Sequence, residues 1–355
     1  MDSPFINGTD ADGLSILSSA PVSEILFSWL DERILVPRSA LGATVTTASG
    51  EIILSAAAER LKFSTGDVLS LRTAGATEIV RVTGYSVTTA TTLLVTKGYE
   101  GTTSIQHVTG VIVVGVGTAL PEGSDPEAAR SQDRVQNDNY TQIFGPTSVH
   151  MSATEQVVDK YGVSNEFAHQ VFNRTKENVI SREQAYIYGR RTNSTTTEIR
   201  TTGGLDYFIT TNTDTTSTQI TITSIQSNQQ LCYNQGGVPD RIACNPGSLN
   251  DLNSVSDTGR VRQEVMDARR GRAATMTAYT EFGGITVVRN RWVHPFDAFL
   301  FSRENVVRRI LRPLTLERLA KTGDSDKAQV VCEEGLEVKG EEHSAAMHAL
   351  AYTAA

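Results

Sequence analysis

Long apolar runs are missing from this sequence. The longest, such as Val111–Val114, fall far short of the roughly 18 residues that cross a bilayer as a helix, so no helical membrane span is expected. Cysteine is scarce. Cys232, Cys244 and Cys332 are odd in number and match no CxxC spacing, which argues against a disulfide scaffold, a Cys-rich zinc module and c-type haem attachment. Positive charge is missing from residues 1–20, which hold Asp2, Asp10 and Asp12 but no Lys or Arg, the wrong sign for a secretory signal. Catalytic signatures are missing too. Gly never precedes Lys, so there is no P-loop, and neither GxSxG nor HExxH occurs. Gly115-Val-Gly117 begins like a dinucleotide loop, but the third Gly is absent and a polar, Pro-containing stretch follows, so it reads as a turn.

The polar residues that are present do not assemble into chemistry. His343 and His348 are five apart, which sets their rings roughly 140° apart on a helix and unfit to share a metal there. Glu333-Glu334 and Glu341-Glu342 are sequence neighbours. On a strand such neighbours face opposite ways, so they form no acid–base dyad and are expected in solvent or in ion pairs with another subunit. The expectation is a protein that is not an enzyme and uses no cofactor or metal.

Charge is abundant but segregated. The 355 residues carry a net charge of −8. Residues 1–256 hold 17 Lys+Arg against 26 Asp+Glu, residues 257–321 hold 13 against 7, and residues 322–355 hold 2 against 7. A basic block between acidic ones suits either nucleic acid or the acidic surface of a second copy. The Arg set at Arg260, Arg262, Arg269, Arg270 and Arg272 is interspersed with Glu264 and Asp267 and lacks aromatics, which favours intersubunit ion pairs over base recognition. Arg308, Arg309, Glu333 and Glu334 complete the candidate intersubunit contacts.

Residues 1–22 are rich in Gly, Ser and Asp and read as an arm that orders only by docking. Residues 41–120 contain sixteen Thr and only ten charged residues. Alternating stretches at Glu51–Leu54, Val68–Leu71, Glu78–Val82, Thr92–Thr96 and Val111–Val114 are punctuated by Gly, which predicts a small antiparallel β-domain. Residues 121–139 read as a polar linker. Ser152 and Glu155 have capping-box spacing, and a helix capped by Ser164 or Asn165 is expected to run to Tyr188. Further on, the pattern predicts strands at Leu205–Thr210, Asp240–Cys244, Ile285–Arg291, Ala298–Phe301 and Gln329–Val338. It predicts helices over Thr223–Asn234, from Asn245-Pro-Gly-Ser248 onward and over the Arg-rich 260–270. Pro313 should interrupt 302–321, and Ala345–Tyr352 closes the chain as strand or helix.

Thr141-Gln-Ile-Phe144 with Val149–Thr154, Glu166–Gln170 through Arg182-Glu183 and Tyr188-Gly189, and Gly203-Gly204-Leu205-Asp206 occur in an order that resembles the major capsid proteins of tailed bacteriophages. So do Gly236–Asp240, Cys244-Asn-Pro246, Thr280–Gly283 with Ile285–Asn290, Leu311-Arg-Pro313, Leu319–Asp324 and Glu333–Glu337. The similarity covers roughly residues 140–352, is greatest to the podovirus-type major head proteins, and lies in the ordered set rather than in any one motif.

The resemblance implies an α+β chain with the Hong Kong 97-like capsid fold. Residues 1–40 would be the N-terminal arm and first strand, and 41–139 an extended loop with an inserted β-domain. Residues 140–202 would be a peripheral domain with a spine helix at about 164–189, 203–300 an axial domain, and 301–355 the return to the peripheral domain. It implies hexamers and pentamers closing into an icosahedral virion head, assembled in the host bacterial cytoplasm around double-stranded DNA held by non-specific contact. The implied partners are a portal protein, a separate scaffolding protein and a cement or decoration protein, with no membrane. The alternatives are an encapsulin-like bacterial shell protein, and a virion adhesin or decoration protein binding carbohydrate through 41–120.

Overall fold

From Asn165 to Tyr188 no Gly or Pro interrupts the chain, and in the computed structural model this stretch forms the long helix Glu166–Tyr188. The Asn165 side chain accepts the Ala168 N–H at its start, and Gly189 ends it. The structure describes residues 3–8, 15–32, 36–73, 75–120, 122–123, 134–158, 162, 165–194, 199–249, 261–264, 275–321 and 323–351 (at 146, 147, 261–264 and 275 the backbone alone).

In chain order, helix α1 (Pro4–Asn7) is followed by strands β1 (Ser18–Pro21) and β2 (Leu26–Glu32). Then come β3 (Arg38–Ala40), β4 (Glu51–Ile53), β5 (Asp67–Thr73), β6 (Ala76–Tyr85), β7 (Thr92–Thr96) and β8 (Ile112–Thr118). Strands β9 (Arg134–Tyr140) and β10 (Gln142–Ser152) lead into α2 (Ala153–Val157) and the long helix α3 (Glu166–Tyr188). Short pieces β11 (Thr192–Asn193), β12 (Arg200–Thr201), α4 (Leu205–Phe208) and β13 (Thr213–Asp214) precede α5 (Ile222–Asn234) and β14 (Arg241–Cys244). The chain ends with β15 (Val261–Glu264), β16 (Thr275–Thr280), β17 (Gly283–Arg289), β18 (Ala298–Phe301), β19 (Val306–Arg318), β20 (Ser325–Val338) and β21 (Ala345–Met347). The chain is thus mixed α and β with few helices. It divides into two units, Glu32–Arg134 and the remainder.

In the Glu32–Arg134 unit, six strands run in the order β3-β8-β5-β6-β7-β4. The sheet closes on itself. A bridge joins Leu41 to Leu54, Gly42 N–H donates to the Ile53 carbonyl and Ser55 N–H to that of Ala40. Closure removes the exposed sheet edges. Period-two alternation then sends Ile52, Leu69, Leu71, Val80, Leu93 and Val113 into a fully buried core. Glu78 is buried with them. Glu78 accepts the Gly98 N–H at 3.2 Å and the Ile105 N–H at 3.1 Å, and lies 3.0 Å from His107 Nε2 and 3.4 Å from Lys97 Nζ. These bonds hold the turn after Lys97, where Gly98 sits at φ +62 and a Cβ would meet the Thr102 carbonyl oxygen at 2.9 Å. Glu78→Ala leaves a buried ammonium and two N–H groups without their acceptor. Denaturant titration of the whole chain should show a loss of about 3–5 kcal/mol.

The larger unit is built on two sheets. One has the order β1-β19-β20-β10, and the other β13-β21-β18-β14-β17-β16-β15. The seven-stranded sheet is buried on both faces. Ile242, Ala298 and Leu300 face the core shared with Ile225 and Cys232 of α5. Ala243, Phe299 and Phe301 face the core shared with Tyr186 and Ile187 of α3. Two-sided burial explains why Ile242–Cys244 is continuously apolar rather than alternating. The arm is docked against its own chain. Phe5 is 1% exposed with its ring edge-on to Phe301 at 5.7 Å, and β1 pairs in parallel with β19.

Several expectations need correction. Leu205–Phe208 is a helix, not a strand. Leu205 and Ile209 are both buried and sit i, i+4, a spacing that meets helical periodicity as well as alternation. Gly204 packs on the end of α3, where a Cβ would lie 2.7 Å from the Ala185 carbonyl oxygen. Within 260–270, Val261–Glu264 is a strand on β16, its backbone paired with that neighbour in place of the i, i+4 bonds of a helix; 260 and 265–270 lie outside the described residues. Part of the polar 121–139 stretch, from Arg134, is strand β9 on β2, with Asn137 Nδ2 donating to Asp31 at 2.6 Å. Pro313 does not end its element. Strand β19 continues through it, with register shifts at Ile310/Arg312 and Arg312/Thr315 absorbing the missing N–H. Residues 245–248 form a turn closed by Asn245 Oδ1 on the Gly247 N–H, Leu249 is helical as expected after it, and the rest of that helix falls outside the described residues.

Candidate functional site

Strand β20 carries three carboxylates into the interior. Glu333 and Glu337 share one face and Glu334 takes the other, as strand alternation dictates. On the α3 side, Arg182 Nη1 donates to Glu334 Oε1 at 2.8 Å and the Tyr186 hydroxyl donates to Glu334 Oε2. The Arg182 and Glu334 side chains are only 4% and 3% exposed. Burial, then the adjacent Glu334 charge, pushes the Tyr186 phenol well above its ordinary value, so it stays a donor. On the other face Glu333 accepts from Thr141 Oγ1 at 2.9 Å, Arg200 Nη2 at 3.0 Å and Arg312 Nε at 3.0 Å. Glu337 pairs with Arg309 and lies 3.4 Å from Lys339 Nζ. These pairs tie the long helix and the β19–β20 ladder into one block.

One helical turn carries a fourth carboxylate. Glu183 is fully buried, and its Oε1 accepts the Phe5 N–H at 3.0 Å and Asn290 Nδ2 at 2.5 Å. Among the described residues its other oxygen has no hydrogen-bond partner. Burial pushes the carboxyl up to about 7, against the opposing pull of those donors, the Arg308 charge and the Ile6 N–H. Glu183 is therefore the clasp that holds the arm to the helix. Arg308 serves the same junction, with Nη1 donating to the Ile6 carbonyl at 3.1 Å.

A second titratable group ties the chain's last strand to the helix end. His348 Nδ1 lies 3.1 Å from Asp297 Oδ1, and the Tyr188 hydroxyl donates to Asp297 Oδ2 at 2.8 Å. The hydrogen bond to Asp297 holds the imidazole above its ordinary value despite partial burial. Burial opposes ionisation of Asp297, but the bonds from His348 and Tyr188 outweigh it and keep the carboxyl low. The stabilisation from His348 is complete below its unfolded value and fades as pH rises through the raised folded value.

All three cysteines are free and buried. Burial pushes the thiols of Cys232 and Cys244 up to about 12 and that of Cys332 up to about 11. The native protein should leave all three unreacted with a thiol reagent over an hour at neutral pH, and release three equivalents in denaturant. Among the described residues no group of three His, Cys, Asp or Glu could hold a metal.

The structure separates the candidate contact residues. Arg260, Arg269, Arg270 and Arg272 lie outside the described residues, and Arg262 is placed only as backbone in edge strand β15. Arg308, Arg309, Glu333 and Glu334 come together on the β19–β20 ladder. There the carboxylates are buried and paired within the chain rather than held out in solvent. The residues that sequence reading passed over are Arg182, Glu183, Arg200, Asn290 and Arg312. A signal did exist for two of them. Val179, Arg182, Glu183, Tyr186 and Ile187 have i, i+3, i+4, i+7, i+8 spacing, so both charges fall on the buried stripe.

A sequence model described as SU10 major capsid protein matches residues 1–351. No curated protein matches the chain. Among solved structures, it is similar to the holo-SrpI encapsulin complex of Synechococcus elongatus (11% identical, covering 63% of this chain and 79% of that one, TM-score 0.44). It is also similar to the capsid of cyanophage P-SCSP1u (11%, 67% and 81%, TM-score 0.41) and to a chain of Mycobacterium phage Bobi (10%, 94% and 88%, TM-score 0.45).

Proposed function

The chain belongs to the SU10 major capsid protein family, a family of structural shell proteins rather than enzymes, and from that membership we propose how this subunit builds its shell. Copies assemble as hexamers and pentamers into an icosahedral head enclosing double-stranded DNA. In a Hong Kong 97-like layout, α3 is the spine helix and the β19–β20 ladder the long sheet of the peripheral domain. The strands of the seven-stranded sheet that fall within 203–300 belong to the axial domain, residues 1–40 are the arm and first strand, and residues 41–139, most of them in the Glu32–Arg134 unit, are the extended loop with its inserted β-domain. The observation that carries this reading is the family match over residues 1–351. The ionic block supports it mechanically: a helix pinned by Arg182–Glu334 to a four-stranded sheet is a stiff beam suited to bearing load.

The net charge of −8 suits a container, because a strongly basic wall would hold DNA fast and hinder its packaging and release. The proposed partners are a portal protein, a separate scaffolding protein, a decoration protein and packaged DNA, with assembly in the host bacterial cytoplasm. Expression alone and with a co-expressed scaffolding protein tests the arrangement. Uniform particles are expected only in the second case, and nuclease-protected DNA is expected in particles from infected cells. Uniform particles from the chain alone would contradict a separate scaffold, and enzyme cargo in place of DNA would contradict the viral reading.

A further inference from the structure

Asn7 ends helix α1 and Gly8 caps it, and theirs is the one Asn-Gly pair in the sequence. The fold demands the glycine. A Cβ at position 8 would lie 2.4 Å from the Pro4 carbonyl oxygen and 2.8 Å from Ile16 Cδ1. The asparagine side chain is left unused: Asn7 is exposed, and among the described residues its amide has no hydrogen-bond partner. Such a pair is chemically labile. Glycine carries no Cβ to shield its nitrogen or restrict its backbone, so that nitrogen can attack the preceding side-chain amide. The Gly8 N–H gives its proton to solvent, the nitrogen bonds to Asn7 Cγ, and the Cγ–Nδ2 bond breaks to release ammonia. Water then opens the cyclic imide at one carbonyl or the other, giving aspartate or isoaspartate. The sum is one amide and one water in, one carboxyl and one ammonia out.

In the docked arm the first step is blocked. The Gly8 N–H donates to the Pro4 carbonyl at 2.9 Å, and the Gly8 carbonyl accepts the Ile16 N–H at 3.2 Å. A helical residue keeps the next nitrogen turned to the carbonyl four residues back rather than toward its own side chain. We propose that Asn7-Gly8 is a self-modifying site, closed while the arm is seated and converted to aspartate and isoaspartate once the arm lets go. Two contacts keep it closed. Phe5 is 1% exposed with its ring edge-on to Phe301, and the Phe5 N–H donates to Glu183 Oε1. Isoaspartate adds a main-chain carbon between positions 7 and 8, where Gly8 has no room for even a Cβ against Pro4. A released arm that has reacted in this way cannot return to its seat, so a reversible loosening becomes permanent. Nothing in this chemistry depends on assembly into a shell.

The test follows the mass of the N-terminal peptide of the full-length chain during incubation in warm neutral buffer. Amide-to-acid conversion at Asn7 is expected to be about tenfold faster in Phe5→Ala than in the native chain, and at least as fast in guanidinium. Phe5→Leu, a milder loosening, should fall between native and unfolded rates, and it decides the matter where Phe5→Ala does not fold. Asn7→Gln should show no conversion at this position. Equal rates in the native, loosened and denatured chain would overturn the gating, and no conversion even in guanidinium would overturn the site itself. The deamidated fraction carries an added negative charge and separates on an anion exchanger. Its Phe5 amide is expected to have lost its protection from hydrogen exchange. Protection equal to that of the unreacted fraction contradicts the one-way step.

Discussion

Arg182→Ala should destabilise the subunit by about 3–5 kcal/mol, seen as a melting midpoint lower by roughly 10 °C. The substitution removes more than a side chain. Glu334 stays buried with its charge, and of the two donors that hold it, only the Tyr186 hydroxyl remains. Glu334→Ala should cost as much by the converse route, leaving a buried guanidinium whose Nε already has no partner among the described residues. The triple variant Arg182→Met, Glu334→Leu, Tyr186→Phe separates the two explanations. If the loss in the single variants comes from an orphaned charge, replacing the whole network by apolar groups should restore most of the stability. If the triple variant is as unstable as the singles, the ion pair itself contributes net binding energy between α3 and β20.

Glu183→Gln should change the pH dependence of stability between acid and mildly alkaline solution. The folded-state value is raised to about 7 from an ordinary 4.5, so the folded protein binds the proton more tightly than the unfolded chain. A carboxyl with a raised value imposes no penalty below the ordinary value, a growing one as pH rises through the window, and the full penalty above the folded value. From this group alone the native protein loses about 3 kcal/mol between acid and mildly alkaline solution. The Gln variant cannot ionise, so its stability relative to the native chain should rise by that amount over the same range. The groups that favour its charged form are the Phe5 and Ile6 N–H groups of the arm, Asn290 after β17, and the charge of Arg308 on β19. Loosening should therefore begin at the arm. The protection factor of the Phe5 amide, which removes the base-catalysed rise in intrinsic exchange, is expected to fall as pH rises in the native protein but not in the variant. A flat difference between the two stability curves would show that Glu183 is not the group that titrates.

How far the sequence reveals this structure depends on which forces are local. The long helix was legible because its signals are local. Asn165 caps it, nothing breaks it before Gly189, and the result is Glu166–Tyr188. The strands at Glu51–Ile53 and Thr92–Thr96 were legible for a similar reason, since alternation over a few residues is enough to make one face of a sheet. What was not legible depends on distant partners. Nothing near Glu333 announces Arg200 or Arg312, and a charged pair on a strand reads by default as solvent-facing. The block at Glu333 and Glu334 becomes interior only once β10, β19 and α3 close around it. The same holds for Leu205–Phe208, whose short apolar pattern fits strand and helix equally until Gly204 seats it on the end of α3.

The central claim is that this chain is a shell subunit, and negative-stain microscopy of the purified protein, with and without its assembly partners, tests it most directly. Closed shells, or six- and five-fold rings of subunits, are expected. A protein that remains a monomer or a trimer under every assembly condition would contradict the account.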